Sequence, residues 1–449
     1  MAGSSKNNTP FRKPSGPRDG KVGRQGAQSR YGLVSTVAQL IDLLALFEGP
    51  ADAAISRFFK DHPELGGRDR PMVAEAVYCW LRFRYRINHL AQSGEGSSVV
   101  RQAKLALLWS GAPEQIWSAG KQADNEWLSR VINISADHLG VEARTCLPEW
   151  LYTKLVEQFG DSRAESFSQA VLQAAPLDLR VNTVKTSLTD LLAAFTNMGI
   201  QVNLIEGLPN GLRAVGKPIV GKTQIFQEGF FEVQDAGSQW VSRLVAPRRG
   251  DLVIDFCAGA GGKTLAIGAQ MKNTGRVVAL DTSERRLLKF KPRAARSGLS
   301  NFSTMIINDE SDSRLNKYFG KADRVVVDAP CSGMGTLRRN PDLKFRQNLQ
   351  SLSELIAKQK SIVEHAAKLV KPDGRLIYIT CSVLRDENED IVSSFLQDHP
   401  DFRLRRWTEV LNPEERPLKA NTTDDMLRLW PEDGESDGFF AAVLQRSKS

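Results

Sequence analysis

From Gly250 onward the sequence predicts an α/β fold built on a doubly wound parallel sheet, and three observations carry that expectation. Short apolar runs (LVIDF, RVVAL, TMII, RVVVDA and RLIYIT) alternate with helical stretches around 263–272, 283–297, 349–370 and 387–398, the rhythm of strands joined by crossover helices. A glycine-rich loop, 255-DFCAGAGGKT-264, links the first of these strands to its helix. One carboxylate follows each of four successive strands: Asp255, Asp281, Asp309 and Asp328. In such sheets ligands gather beyond the carboxyl ends of the strands.

The rest of the 449 residues divides into three further segments, leaving 246–449 to the sheet domain. Residues 1–30 hold seven Lys or Arg against one Asp with almost nothing apolar, and read as a disordered basic tail. Residues 31–145 are helical in pattern: VAQLIDLLALF, ADAAISRFF, VAEAVYCWLRFRYRINHL and QAKLALLWSG place apolar residues at three- and four-residue intervals. The third of these helices carries Arg82, Arg84 and Arg86 among Trp80, Phe83 and Tyr85. The favoured reading is a core helix with a solvated basic side; contact with RNA is the alternative. Residues 146–245 read as a small α+β module, with helices at PEWLYTKLVEQFG and LTDLLAAFTNMG and strands at LDLRVNTV, QVNLIEG and GLRAV.

Composition narrows the function classes. No apolar run reaches the roughly 18 residues a spanning helix needs. Five scattered cysteines without a C-x-x-C pair argue against structural zinc and against a secreted disulfide framework, so no metal and a reducing, cytoplasmic setting are expected. Lys plus Arg exceed Asp plus Glu by 60 to 52, which suits a polyanionic partner without requiring one.

The glycine loop fits neither common phosphate motif. A P-loop would need glycine where Cys257 stands, and a dinucleotide fingerprint would need it at Thr264. The row of acids fits S-adenosylmethionine better. Asp281, ending the second strand, would take the ribose hydroxyls and Asp309 the adenine edge, while Asp255 and the 257–263 loop (Cys257, Ala258, Gly259, Ala260, Gly261, Gly262 and Lys263) would lie along the methionine part. Acids that merely cap helices would explain any one of these positions, though not all four.

Cys331 follows one strand in VVVDAPCSG and Cys381 closes another in LIYITCS, so both thiols belong at the ligand edge beside Asp328. Cys257, inside its tight loop, reads as packing. Two thiols beside a carboxyl suit methylation of a cytosine ring carbon: a thiolate added to C6 makes C5 nucleophilic, and a carboxyl group at N3 stabilises the adduct. The residues alone do not rank the two thiols.

The combination DFCAGAGGKT, LD, IND, VVVDAPCSGMGTLRRNPD, LIYITCSV and ENE resembles the Sun (Fmu) family of RNA cytosine-5 methyltransferases, over roughly residues 148–446 and closest to those that modify bacterial small-subunit ribosomal RNA. PLDLRVNT (176–183) and FFEVQDAGSQ (230–239) resemble its RNA-facing subdomain, and LGGRDRPMVAEAVYCWLRFR (65–84) its helical antitermination-factor-like RNA-binding domain. The resemblance implies a Rossmann-like S-adenosylmethionine-dependent methyltransferase domain preceded by those two parts, acting as a monomer on RNA, ribosomal by preference. It assigns the covalent nucleophile to Cys381, breakdown of the adduct to Cys331, contact with the base to Asp328, and the cofactor to Cys257 through Lys263, Asp281, Asp309 and Asp328. Where the family loop commonly reads CAAPGGKT, Ala260 replaces proline here and Gly259 supplies the turn, implying a looser loop. A tRNA substrate, a non-methylating RNA assembly factor and a DNA cytosine methylase are the rival expectations.

Overall fold

The computed structural model describes residues 25–448, with side chains from Gly32. The expected basic tail therefore lies outside the described residues up to 24, and the first helix starts earlier than expected, at Gln25 rather than after Arg30. Helices α1 (Gln25–Leu44), α2 (Ala51–Asp61), α3 (Asp69–Ala91), α4 (Ser98–Trp109), α5 (Glu114–Trp117), α6 (Gln122–Val131) and α7 (Val141–Thr145) form the N-terminal helical region. Their apolar faces close one core around Val37, Leu40, Val77, Trp80 and Leu105.

The arginines of α3 overturn the expectation of a solvated basic side. Arg82 is buried and donates to the Arg338 carbonyl at 3.3 Å. Arg86 donates to the carbonyls of Ala143 and Arg144 at 3.0 and 2.5 Å. The Arg84 guanidinium lies 4.6, 5.3 and 5.0 Å from the ring centroids of Phe47, Trp80 and Phe345, within the range of cation–π attraction. All three are engaged within the molecule, Arg82 buried and Arg84 and Arg86 half-buried. From the other side, the buried Lys344 donates to the carbonyls of Arg82 and Cys146, both at 2.7 Å. The helical region is thereby fastened to the segment that follows Cys331.

Next come α8 (Glu149–Phe159) and α9 (Asp161–Val171), then β1 (Leu177–Val181), α10 (Leu188–Asn197), β2 (Val202–Leu204), β3 (Gly211–Ala214), α11 (Gln224–Gln227), β4 (Phe231–Val233) and α12 (Ala236–Arg243). The strands pair in the order β2-β3-β1-β4, antiparallel throughout. Helices α8 and α9 bury Leu151, Leu155 and Phe167 against Met334, Leu337 and Val383, the residues just beyond the two cysteines.

The large sheet takes β5 (Leu252–Asp255), α13 (Gly262–Gln270), β6 (Arg276–Asp281), α14 (Glu284–Ser297), β7 (Phe302–Ile306), β8 (Ala322–Asp328), α15 (Leu343–Arg346), α16 (Leu349–Ala367), β9 (Val370–Thr380), α17 (Glu389–Asp398), β10 (Phe402–Arg405), β11 (Leu427–Leu429) and β12 (Phe439–Arg446). Strand order is β10-β12-β9-β8-β5-β6-β7, with β11 also on β12. The five expected strands are present and parallel. Beyond these the sheet is mixed, because β12 inserts antiparallel beside β9 and carries β10 and β11 antiparallel in turn. Its sequence, FFAAVLQR, is buried on both faces and so lacks the alternation that marks an antiparallel strand with one wet face.

Candidate active site

Strand order sets the four acids and the second thiol in one row. Crossing β7-β6-β5-β8-β9, the carboxyl ends present Asp309, Asp281, Asp255, Asp328 and then Cys381.

The loop after β5 turns through two left-handed glycines, Gly259 at φ +56° and Gly261 at φ +77°. A Cβ on Gly261 would stand 2.0 Å from the Phe290 ring, so the position admits glycine alone; Gly259 faces open space. Asp281, buried, accepts from the Gly259 N–H at 2.8 Å and from the Ser283 N–H at 2.7 Å, tying the loop to the start of α14. The Ala260 carbonyl accepts from Arg293 at 3.0 Å. The loop is therefore pinned on both sides without the family's proline.

Asp255 is fully buried; Thr264 donates to its Oδ2 at 2.6 Å, and its Oδ1 has no partner among the described residues. Burial pushes its carboxyl up to about 7 against the pull of the Thr264 hydrogen bond. Burial, reinforced by the charge of Asp328, also holds the Cys257 thiol well above its ordinary range, which agrees with an inert side chain. Asp309 is exposed, and its Oδ1 accepts from the backbone and hydroxyl of Ser311 at 2.8 and 2.6 Å.

Two features of the thiol half join residues whose pairing spacing along the chain does not show. The first is an ion pair: Lys263 Nζ lies 2.7 Å from Asp328 Oδ2. Burial works against the charge on Lys263, but Asp328 outweighs it and Cys381 adds to it, so the ammonium is held above its ordinary value. The second is a buried clamp. Glu387 accepts from the Ser332 backbone at 2.8 Å, from the Ser332 hydroxyl and from Gln359 at 2.9 Å. Its neighbour Asn388 accepts from the Thr380 hydroxyl and donates to the Ser382 carbonyl at 3.1 Å. Adjacent residues thus grip both loops, one beside each cysteine. The expected helix 387–398 begins only at Glu389, leaving Glu387 and Asn388 in the turn before it.

Within this frame Cys331 Sγ and Cys381 Sγ stand 3.4 Å apart, both half-buried. The hydrogen bond to Cys381, then burial, then the charges of Cys381 and Glu387 keep the Cys331 thiol well above its ordinary range.

Residues 242–445 match the family model described as 16S rRNA methyltransferase RsmB/F, and residues 147–218 the ferredoxin-like domain of RsmF/B-like methyltransferases. A relative named "Probable ribosomal RNA small subunit methyltransferase B" from Synechocystis is 30% identical over 431 residues, covering 88% of this chain and 95% of its own. The chain belongs to the RsmB/F family. A Bacillus subtilis protein of the same name is 34% identical over 304 residues, 67% of each chain. The solved structure of PH0851 shares the fold at TM-score 0.75 and 23% identity, covering 94% of this chain and 99% of that one.

S-adenosylmethionine is the cofactor of the RsmB/F family, and the residues at this edge fit it. Gly259 leaves backbone open to a ligand. The row of carboxylates offers acceptors to a cationic, hydroxyl-bearing molecule, Asp309 in full exposure and Asp281 with lone pairs to spare.

Proposed function

We propose that the protein methylates C5 of a cytosine in RNA, small-subunit ribosomal RNA by preference, through a covalent bond between Cys381 and C6 of the base. The observation that carries this reading is the thiol pair at 3.4 Å. The proton stays on Cys331, and a thiol that keeps its proton is the poorer nucleophile. Cys381, 3.4 Å away and on the side of the Lys263 ammonium, is left as the attacking sulfur.

Cys381 adds to C6, and the Asp328–Lys263 pair stabilises the charge that develops across the ring. Cys257 to Lys263, Asp281, Asp309 and Asp328 would hold S-adenosylmethionine, which would supply the electrophilic methyl group that C5 takes. The Cys331 sulfur then passes its proton to the departing Cys381 sulfur and takes the C5 proton in its place, which breaks the C6–S bond, restores the aromatic ring and leaves both cysteines as thiols. The ring-addition step accounts for two thiols where packing would need none.

Cys381→Ala should abolish methyl transfer and leave no RNA–protein adduct on a denaturing gel. Cys331→Ala should accumulate the adduct. Adduct formed by Cys381→Ala, or none formed by Cys331→Ala with RNA still bound, overturns the assignment. Bisulfite sequencing of RNA from cells lacking the gene identifies the nucleotide by its lost protection; a loss confined to tRNA would remove the ribosomal preference.

A further inference from the structure

Helix α14 breaks two rules of helix construction. Its sequence, ERRLLKFKPRAARS, carries six cations against one acid. Arg285 and Arg286 sit in the first turn just after the Ser283 N-cap, where the positive end of the helix dipole opposes them. At about 100° per residue, Arg285, Arg286, Lys289, Arg293 and Arg296 share one face, with like charges at i, i+3 and i, i+4 that repel.

The lower part of this stripe is neutralised. Glu232 of β4 pairs with Arg293 at 3.0 Å and with Arg296 at 2.6 Å. The upper part is not: Arg285, Arg286 and Lys289 are exposed and pair with no carboxylate among the described residues. Local rules broken without compensation mark functional surfaces.

Position supplies the second observation. The stripe starts four residues after Asp281, and the charge of Arg286 is felt at Cys257 in the cofactor loop. It ends against the antiparallel module, where Asn182 donates to the carbonyls of Ser297 and Gly229, both at 2.8 Å. Exposed Lys185 lies over Gly298 there. From residue 285 to 296 the rise is about 16 Å, enough to follow several linked phosphates of an extended strand.

We propose that Arg285, Arg286 and Lys289, continued by Lys185, form a track for the sugar–phosphate backbone of the RNA whose cytosine enters the site. It rests on the RNA reading above. A single strand bound by its phosphates releases counterions, so log K falls with log salt by about 0.7 per phosphate neutralised.

The test is fluorescence anisotropy of a labelled single-stranded cytidine-containing RNA across a salt series, with the full chain and Arg285→Ala/Arg286→Ala/Lys289→Ala. The exposed positions and the helix-forming alanine preserve α14. The expected slope is shallower by about 2, three contacts at 0.7 each, with KM for RNA raised and kcat retained. Arg285→Lys/Arg286→Lys should keep the wild-type slope. An unchanged slope in the alanine variant overturns the track. So does equal competition by polyglutamate and RNA at matched charge, which would make the stripe a docking face for acidic protein. If wild type transfers no methyl group to RNA, the functional reading falls while the slope still decides the stripe.

Discussion

The two halves of the sheet edge hold their loops by different means. The cofactor half relies on main chain: Gly259 N–H on Asp281, the Ala260 carbonyl on Arg293, and Gly261 closed against Phe290. The thiol half relies on buried side chains brought in from elsewhere, Glu387 and Asn388 gripping the residues next to Cys331 and Cys381. A loop along which a ligand lies must leave its own backbone open. Two sulfurs that must keep a fixed separation while one of them forms and breaks a bond need support from behind. Damage to either half should leave the other intact.

The largest expected effect is on the cofactor half. Gly261→Ala places a methyl 2.0 Å from Phe290 at φ +77°. Overpacking and left-handed strain together cost about 4 kcal/mol, and cofactor affinity by calorimetry should fall more than tenfold. Alkylation of Cys381, followed by mass spectrometry, should proceed at the wild-type rate. A large change in that rate would show that the two halves are one mechanical unit.

Glu387→Gln is the converse experiment. Glu387 receives three donors, from the Ser332 backbone, the Ser332 hydroxyl and Gln359, and an amide replaces one acceptor with a fourth donor. The loop around Cys331 should shift, lowering kcat about 30-fold, since misplacements of about 1 Å cost up to a hundredfold. The dissociation constant of the cofactor should not change. Equal losses in both quantities would contradict the separation.

The difference between the halves also explains what could be read in advance. The glycine loop and the strand-end acids announce themselves because their functions follow from spacing along the chain. The ENE motif of the resemblance includes Glu387 but gives it no role: in RDENED it looks like one surface acid among several, and only chain closure buries it against Ser332. The arginines of α3 and α14 make the same point. Both runs are cationic and near aromatics in sequence, yet Arg82 and Arg86 serve carbonyls while Arg285, Arg286 and Lys289 face solvent. Strand β12 escaped because a run buried on both faces has no period to detect.

The smallest expected effect on activity separates the halves by pH. Asp255, beneath the cofactor loop, has its carboxyl raised to about 7 by burial, against an unfolded value near 3.8. Between those values the folded chain holds a proton that the unfolded chain has released, so stability falls as pH rises from about 4 to 7 and is flat above that. Asp255→Asn removes this contribution. Its stability relative to wild type, from urea unfolding at a series of pH values, should improve by about 1.4 kcal/mol per pH unit inside the window and by nothing further above it. Glu387→Gln, measured the same way, tests whether the slope belongs to the cofactor half. It should leave the slope of wild type in place, because Asp255 keeps its burial and its Thr264 hydrogen bond. A slope lost in Glu387→Gln and kept in Asp255→Asn would place the titrating group on the wrong side of the edge.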